Sequence, residues 1–194
     1  EWAERVHEWR RRTGGLPDAR EEYLVYQTLV GAWPIEEERL NAYLEKALRE
    51  GKVNSNWLDP DLAHEARVQA FARAAADAMG GDPFLARIAA LGRRISLGQL
   101  LLKLTSPGVP DVYQGSELWD LSLVDPDNRR QVDYAARTEL LARLEEGWFP
   151  DVDDTGAVKL HVVRTTLRLR RERPELFTGY RRELEASSDP QDQA

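Results

Sequence analysis

The sequence contains no cysteine among its 194 residues, and it has only three histidines and one methionine. The lack of cysteine excludes disulfide bonds and thiolate metal sites. No run of 18 apolar residues is present, which predicts a protein that does not span a membrane. Basic residues are not in excess either, since the formal net charge is −7. A nucleic-acid partner is therefore not expected, because such proteins present a basic face.

Several binding motifs are also missing. The chain has neither a GxGxxG nor a GKS/T loop, so no nucleotide site is predicted. The acidic residues do not follow the spacing of an EF-hand. We therefore predict no cofactor and no bound metal. The charged first residues do not fit a signal peptide, and we expect a cytoplasmic protein.

Helical patterns cover most of the chain. Trp2, Val6 and Trp9 share one helix face. Start and stop signals predict six further helices, over residues 20–32, 36–51, 60–79, 84–104, 133–146 and 158–173. Asp59 and Asp82, each followed by proline, are the predicted N-caps of two of them. The second half of the helix from residue 84 is apolar almost all round, which predicts that it is buried.

Three polar segments have structural interpretations that we favour over functional ones. The basic cluster Arg164–Arg173 reads as a solvated or salt-bridged helix face and not as an anion site. Tyr23, Tyr26 and Gln27 recur at helical spacing and favour packing over a substrate groove. The segment Asn54–Trp57 favours a hydrogen-bonded turn before the next helix over a sugar contact.

The most informative segment is Gly108–Tyr134. It begins with Val109, Val112 and Tyr113, a short apolar run between chain breakers, which predicts a buried strand. An aromatic residue follows, among many side chains that can each form two hydrogen bonds. This composition is expected of a loop that binds a polyhydroxylated ligand. The loop contains Glu117, Trp119, Asp120, Asp125, Asp127, Asn128, Arg129 and Arg130.

These residues resemble the maltooligosyl trehalose synthases, a branch of the α-amylase superfamily. The superfamily string Gly-x-Pro-x-x-Tyr-x-Gly-x-Glu occurs here between Gly108 and Glu117, and the branch's own signature matches Leu118–Arg130. The blocks Glu22–Pro34 and Asn54–Asp61 fit the same branch. The resemblance covers nearly the whole chain, up to about Tyr180. Gln131 departs from it, since the branch usually has proline there.

The resemblance implies a mostly α-helical chain that is a fragment of an α/β (β/α)8 barrel. Residues 1–106 would be a helical insertion that follows the seventh barrel strand. Residues 107–178 would supply the eighth strand, the signature loop and closing helices. Residues 179–194 would begin a truncated C-terminal β-domain or form a disordered tail. A lone strand would otherwise leave unpaired backbone groups.

The resemblance also implies an activity for the parent protein. It would be an isomerase, an intramolecular transglucosylase that converts the reducing-end α-1,4 bond of a maltooligosaccharide into an α,α-1,1 bond. Retaining glycosyl transfer uses two carboxylates about 5 Å apart. The family places its catalytic acids on other barrel strands, so we predict no catalytic residue in this chain. The fragment alone is expected to be inactive without the remaining barrel half of the parent chain.

Eight residues are predicted to contact the maltooligosaccharide: Tyr113, Glu117, Trp119, Asp120, Asp127, Asn128, Arg129 and Arg130. Each has an alternative that stays open here. Trp119 is either a stacking platform for a glucose ring or a core residue at the barrel mouth. Tyr113 favours barrel lining. The arginines either bind sugar or pair with loop carboxylates.

Two other functions remain possible from the sequence. The parent is alternatively another amylase-type hydrolase or glucanotransferase, in which the same loop positions an acceptor. The chain is alternatively a free-standing, non-catalytic α-helical module that binds carbohydrate or another protein.

Overall fold

The computed structural model describes residues 1–179. The predicted tail or β-domain therefore lies almost wholly outside the described residues. Short 3₁₀ helices span Asp127–Arg129 and Pro174–Phe177. The described α-helices, which confirm the mostly helical prediction, are α1 (Trp2–Thr13), α2 (Ala19–Gly31), α3 (Glu37–Gly51), α4 (Leu62–Met79), α5 (Pro83–Thr105), α6 (Tyr134–Glu145) and α7 (Ala157–Glu172).

Aspartates cap three of these helices, and for α5 the cap is Asp82, as the sequence predicts. The carboxylate of Asp18 accepts a hydrogen bond from the Arg20 amide at the start of α2, at 2.9 Å. Asp82 accepts from the Phe84 amide at 2.9 Å, with Pro83 at the first helical position of α5. Asp133 accepts from the Ala136 amide at the start of α6. These bonds satisfy amides that have no partner within the helix.

The predicted start of α4 at Asp59 is wrong. The cap is Asp61, whose carboxylate accepts from the His64 amide at 2.8 Å. Residues further upstream belong to a turn, because Asn56 Oδ1 accepts from the amides of Leu58 and Asp59 at 2.9 Å each. The turn interpretation of this loop therefore fits the structure.

The predicted strand at Val109–Tyr113 is not formed within residues 1–179, which contain no strand. A strand needs a neighbouring strand for its backbone hydrogen bonds, and nothing in that range supplies one. Side chains bind some of the carbonyl groups instead. Lys103 Nζ donates to the Asp111 carbonyl at 2.7 Å, and the Arg170 guanidinium donates to that of Gly108.

The main core lies among α1, α2, α3, α4 and the first turns of α5. Trp9, Tyr26 and Leu44 are fully buried there, which agrees with packing as the role of Tyr26. Tyr23 lies at the edge and is 42% exposed. A smaller core joins α5 to α7 through Leu104 and its neighbours.

The second half of α5 is buried on one side only, contrary to the prediction that it is buried all round. Ile95 is 60% exposed and Leu102 is 69% exposed. The reason is that α7 covers only the side of α5 that carries Leu100 and Leu104. The described chain supplies no element for the opposite side.

The basic face of α7 is salt-bridged, as predicted. Arg164 and Arg168 both bind Glu145 on α6, and Arg170 donates to the carbonyls of Leu104 and Ser106 at 2.9 Å each. The face thus links α7 to α5 and α6. None of the described helices is long and apolar enough to cross a membrane.

Candidate functional site

The signature loop encloses a small polar cavity of about 150 Å³, here called the loop cavity. Its walls come from both ends of the loop and from the start of α6. The side chains that define it are Trp119, Asp120, Ser122, Asn128, Arg130 and Arg137. Four of the eight predicted sugar-binding residues therefore meet in one place: Trp119, Asp120, Asn128 and Arg130.

Two polar groups of the loop cavity have unused hydrogen-bonding capacity. The amide oxygen of Asn128 is buried and has no hydrogen-bond partner among residues 1–179. A buried acceptor of this kind is costly unless a ligand or water binds it. The Arg130 guanidinium donates to the Asp127 carbonyl at 3.1 Å and to Ser122 Oγ at 3.0 Å, yet its side chain stays 50% exposed. Arginine carries five N–H donors, so donors remain for a ligand.

Trp119 is fixed by the residues that precede and begin α7. Its indole N–H donates to the Asp153 carbonyl at 2.8 Å. Gly156 adopts a φ of +75°, and a Cβ placed on it would lie 2.6 Å from the Trp119 amide nitrogen. Lys159 Nζ donates to the Leu118 carbonyl at 3.0 Å, and burial lowers the pKa of Lys159. The indole plane is therefore held in one orientation.

Asp127 lies away from the loop cavity. Its two carboxylate oxygens accept from Nε and a terminal nitrogen of Arg39 on α3, at 2.9 Å each. The amide of Leu123 also donates to it at 2.7 Å. The hydrogen bonds from Arg39 lower the pKa of Asp127 to about 2. This carboxylate is occupied by protein groups.

The other three predicted residues also lie outside the loop cavity lining. Glu117 pairs with Arg137 at 3.2 Å, and Arg129 pairs with Asp125 on the surface. Tyr113 is 47% exposed. For Arg129 the structure thus shows the alternative of a loop ion pair.

A second and larger cavity of about 580 Å³ lies on the other side of Trp119 and Asp120. It is mostly apolar and separates the end of α2 and the middle of α5 from the signature loop. Trp33, Arg93 and Lys159, which line this cavity, were not predicted as site residues. Trp33 belongs to a block that matches the family signature, which was the one sequence signal available for it.

Arg137 is a further residue that the sequence did not single out. Its guanidinium donates to the carbonyls of Gly115 at 2.7 Å and Asp133 at 2.9 Å, and to Glu117. It therefore ties the two ends of the loop together. Among residues 1–179 no cluster of histidine and carboxylate side chains is arranged to hold a metal ion.

No protein-family profile matches the sequence, but individual known proteins do. A Mycobacterium tuberculosis protein provisionally named maltooligosyl trehalose synthase is 40% identical over 173 aligned residues. The alignment covers 84% of this chain but 21% of that protein. The chain thus spans about a fifth of the length of the curated relatives that it matches.

Solved structures give the same result. The maltooligosyltrehalose synthase of Arthrobacter ramosus is 47% identical and superposes with a TM-score of 0.82, over 92% of this chain and 24% of that one. Another solved maltooligosyl trehalose synthase is 30% identical, with a TM-score of 0.81, over 91% of this chain and 26% of that one. By sequence and by fold, the chain belongs to the maltooligosyl trehalose synthase family and corresponds to one part of its longer members.

Proposed function

We propose that this chain is part of an intramolecular transglucosylase that converts the reducing-end α-1,4 bond of a maltooligosaccharide into an α,α-1,1 bond. In this proposal the chain supplies contacts to the acceptor glucose and not the catalytic carboxylates. The observation that carries it is the loop cavity, which Trp119, Asp120, Asn128 and Arg130 line together, and in which the buried amide oxygen of Asn128 has no partner among residues 1–179. The names of the relatives supply the reaction class.

The side chains of the loop cavity are chemically suited to one hexose. The face of Trp119 suits the C–H groups of a pyranose ring. Asn128 Oδ1 accepts from a hydroxyl, and Arg130 donates to one. Asp120 offers a carboxylate, one oxygen of which already binds the Ser122 amide at 2.9 Å. A pocket of this kind binds a neutral, hydroxyl-rich ligand through paired polar contacts on an aromatic platform.

The reaction makes a particular demand on such a pocket. The glucose released from the chain must stay bound, turn over and attack through its anomeric hydroxyl before water does. Retention lowers the entropic cost of the second step, and exclusion of water suppresses hydrolysis. The proposed role of the loop cavity is to hold this glucose.

The catalytic carboxylates are proposed to lie elsewhere in the full-length protein. A retaining pair flanks the sugar from two sides. The signature loop has no free pair of this kind, because Glu117 binds Arg137, Asp125 binds Arg129 and Asp127 binds Arg39. Residues 1–106 are proposed as a helical insertion after the seventh barrel strand. Residues 107–178 are proposed to carry the eighth strand, which would form beside the neighbouring strands, and to act in the cytoplasm with the rest of the barrel.

The test compares two adjacent arginines in the full-length protein. Arg130 lines the loop cavity, whereas Arg129 is 69% exposed and pairs with Asp125 outside it. With maltohexaose as substrate, Arg130→Ala is expected to raise the ratio of free glucose to trehalose-ended product about tenfold, the effect of losing one charged hydrogen bond. Arg129→Ala, the matched control, is expected to leave the ratio within twofold of wild type.

Chromatography of the products separates the candidate functions. Wild-type protein that releases only glucose and shorter maltooligosaccharides would identify a hydrolase or glucanotransferase and refute the proposal. Equal effects of the two arginine variants would remove the acceptor role from the loop cavity.

A further inference from the structure

The signature loop is attached to α3, a helix far away in sequence. Arg39 donates to both carboxylate oxygens of Asp127 at 2.9 Å and also to the Leu121 carbonyl at 3.2 Å. About two turns further along the same helix, Lys46 Nζ donates to the Asp125 carbonyl. We call these contacts the α3 latch. They join residues that are 79 to 88 positions apart.

The α3 latch is partly buried and charge-assisted. The side chains of Arg39 and Asp127 are 16% and 13% exposed, and their geometry is bidentate. Bonds of this type are about twice as strong as neutral ones and also fix orientation. A cleft of about 230 Å³ runs along the seam between α3 and the loop. Because the seam is open there, apolar packing does not replace the latch.

The loop cavity depends on the residue that the latch holds. The carboxylate of Asp127 accepts the Leu123 amide at 2.7 Å, and its carbonyl accepts Arg130 Nε at 3.1 Å. Asn128 follows directly in the same 3₁₀ turn. The positions of Asn128 and Arg130 are therefore set through Asp127.

From this geometry we propose that Arg39 is a positioning residue, which acts through Asp127 to hold Asn128 and Arg130 against the acceptor glucose. The inference rests on the proposed function for what the cavity binds. It assigns Asp127, a residue of the family signature, to loop geometry and not to sugar contact. Helix α3 thereby supports the loop cavity, although none of its residues lines that cavity.

The experiment uses the full-length protein and the variants Arg39→Ala, Asp127→Ala and the double variant. If Arg39 acts through Asp127, each single variant raises the ratio of free glucose to trehalose-ended product about tenfold, and the double variant does no more. Arg39→Lys keeps the charge but not the bidentate geometry, and it is expected to fall in between. Arg73→Ala is the control, because Arg73 of α4 makes an exposed ion pair with Glu37 of α3, the helix that carries Arg39.

A second readout does not depend on activity. Hydrogen exchange of the backbone amides over residues 121–130 is expected to become about tenfold faster in Arg39→Ala and to stay unchanged in Arg73→Ala. If Arg39→Ala does not fold, Arg39→Lys decides the same point by the same measurement. If wild-type protein forms no trehalose-ended product, the proposed function is refuted. The hydrogen-exchange data would still test whether Arg39 holds the loop in place.

Two results would overturn the inference. One is unchanged exchange and product ratio in Arg39→Ala. The other is a double variant whose effect is the product of the single effects, since Asp127 would then act on the sugar independently of Arg39.

Discussion

Gly156 is the residue on which the orientation of Trp119 most directly depends. Its φ of +75° favours glycine, and the space where a Cβ would lie is taken by the Trp119 backbone. The backbone of an aromatic residue cannot move aside as a flexible side chain does. Trp119 separates the loop cavity from the larger apolar cavity, so a shift here would change both.

Gly156→Ala is therefore expected to lower the free energy of unfolding by about 2–4 kcal/mol, from backbone strain and from the collision. The control is Gly14→Ala, because Gly14 has a φ of +81° but no atom of the described part of the chain lies within 4 Å of its Cβ position. This control should cost about 1 kcal/mol. Urea unfolding of both variants measures the difference. Equal losses would mean that the contact with Trp119 has no energetic weight.

At the scale of elements, local signals and distant contacts have different roles. Asp18, Asp82 and Asp133 begin their helices through bonds to nearby amides. The attachment of α3 to the signature loop instead needs two segments far apart in sequence. Helix boundaries are therefore local properties, whereas the loop geometry depends on assembly of the whole helical part.

The α3 latch has a consequence for acid stability. Hydrogen bonds from Arg39 lower the pKa of Asp127 from 3.8 to about 2. A folded-state pKa below the unfolded value means that the pairing stabilises the fold above about pH 4, and that this stabilisation is lost as the pH falls through 2. We expect about 1–2 kcal/mol from this group.

Asp127→Asn removes the titrating group and so isolates this contribution. The difference in free energy of unfolding between wild type and the variant should be largest near neutral pH and should shrink towards about pH 2. Urea titrations at several pH values measure it. A difference that does not change with pH would show that Asp127 does not titrate as the structure implies.

At the scale of the whole molecule, residues 1–179 leave one side of α5 uncovered. Leu91, Ile95, Leu101 and Leu102 are 46–69% exposed on a helix of 23 residues. Exposed apolar rows of this kind mark interaction surfaces or cause aggregation. In the proposed function the remaining barrel half of the parent chain covers this side.

The 194-residue chain by itself is therefore expected to bind a hydrophobic dye and to self-associate. The full-length protein should do neither to the same extent. Dye fluorescence and light scattering at matched concentration test this. A monomeric, dye-free chain with cooperative unfolding would instead support the alternative of a free-standing helical module.

Much of the architecture follows from the sequence alone. Hydrophobic spacing and caps are local, and they place the helices to within a few residues. The predicted cap at Asp59 is wrong because Asp59 and Asp61 lie close together in sequence, and the turn at Asn56 takes up Asp59, which leaves Asp61 to cap the helix. The signature string was sufficient to indicate the family and the loop, because it is long and specific.

Tertiary structure decided the rest, for reasons that no local pattern contains. The strand at Val109–Tyr113 requires partner strands, and residues 1–179 contain none. Burial of α5 requires elements on both of its sides. From the local sequence, each carboxylate of the loop is an equally good candidate for a sugar contact. In the folded structure Arg39 binds Asp127 and Arg137 binds Glu117. The sequence by itself determined which residue types the site contains, and only folding determined which of them remain free to bind a ligand.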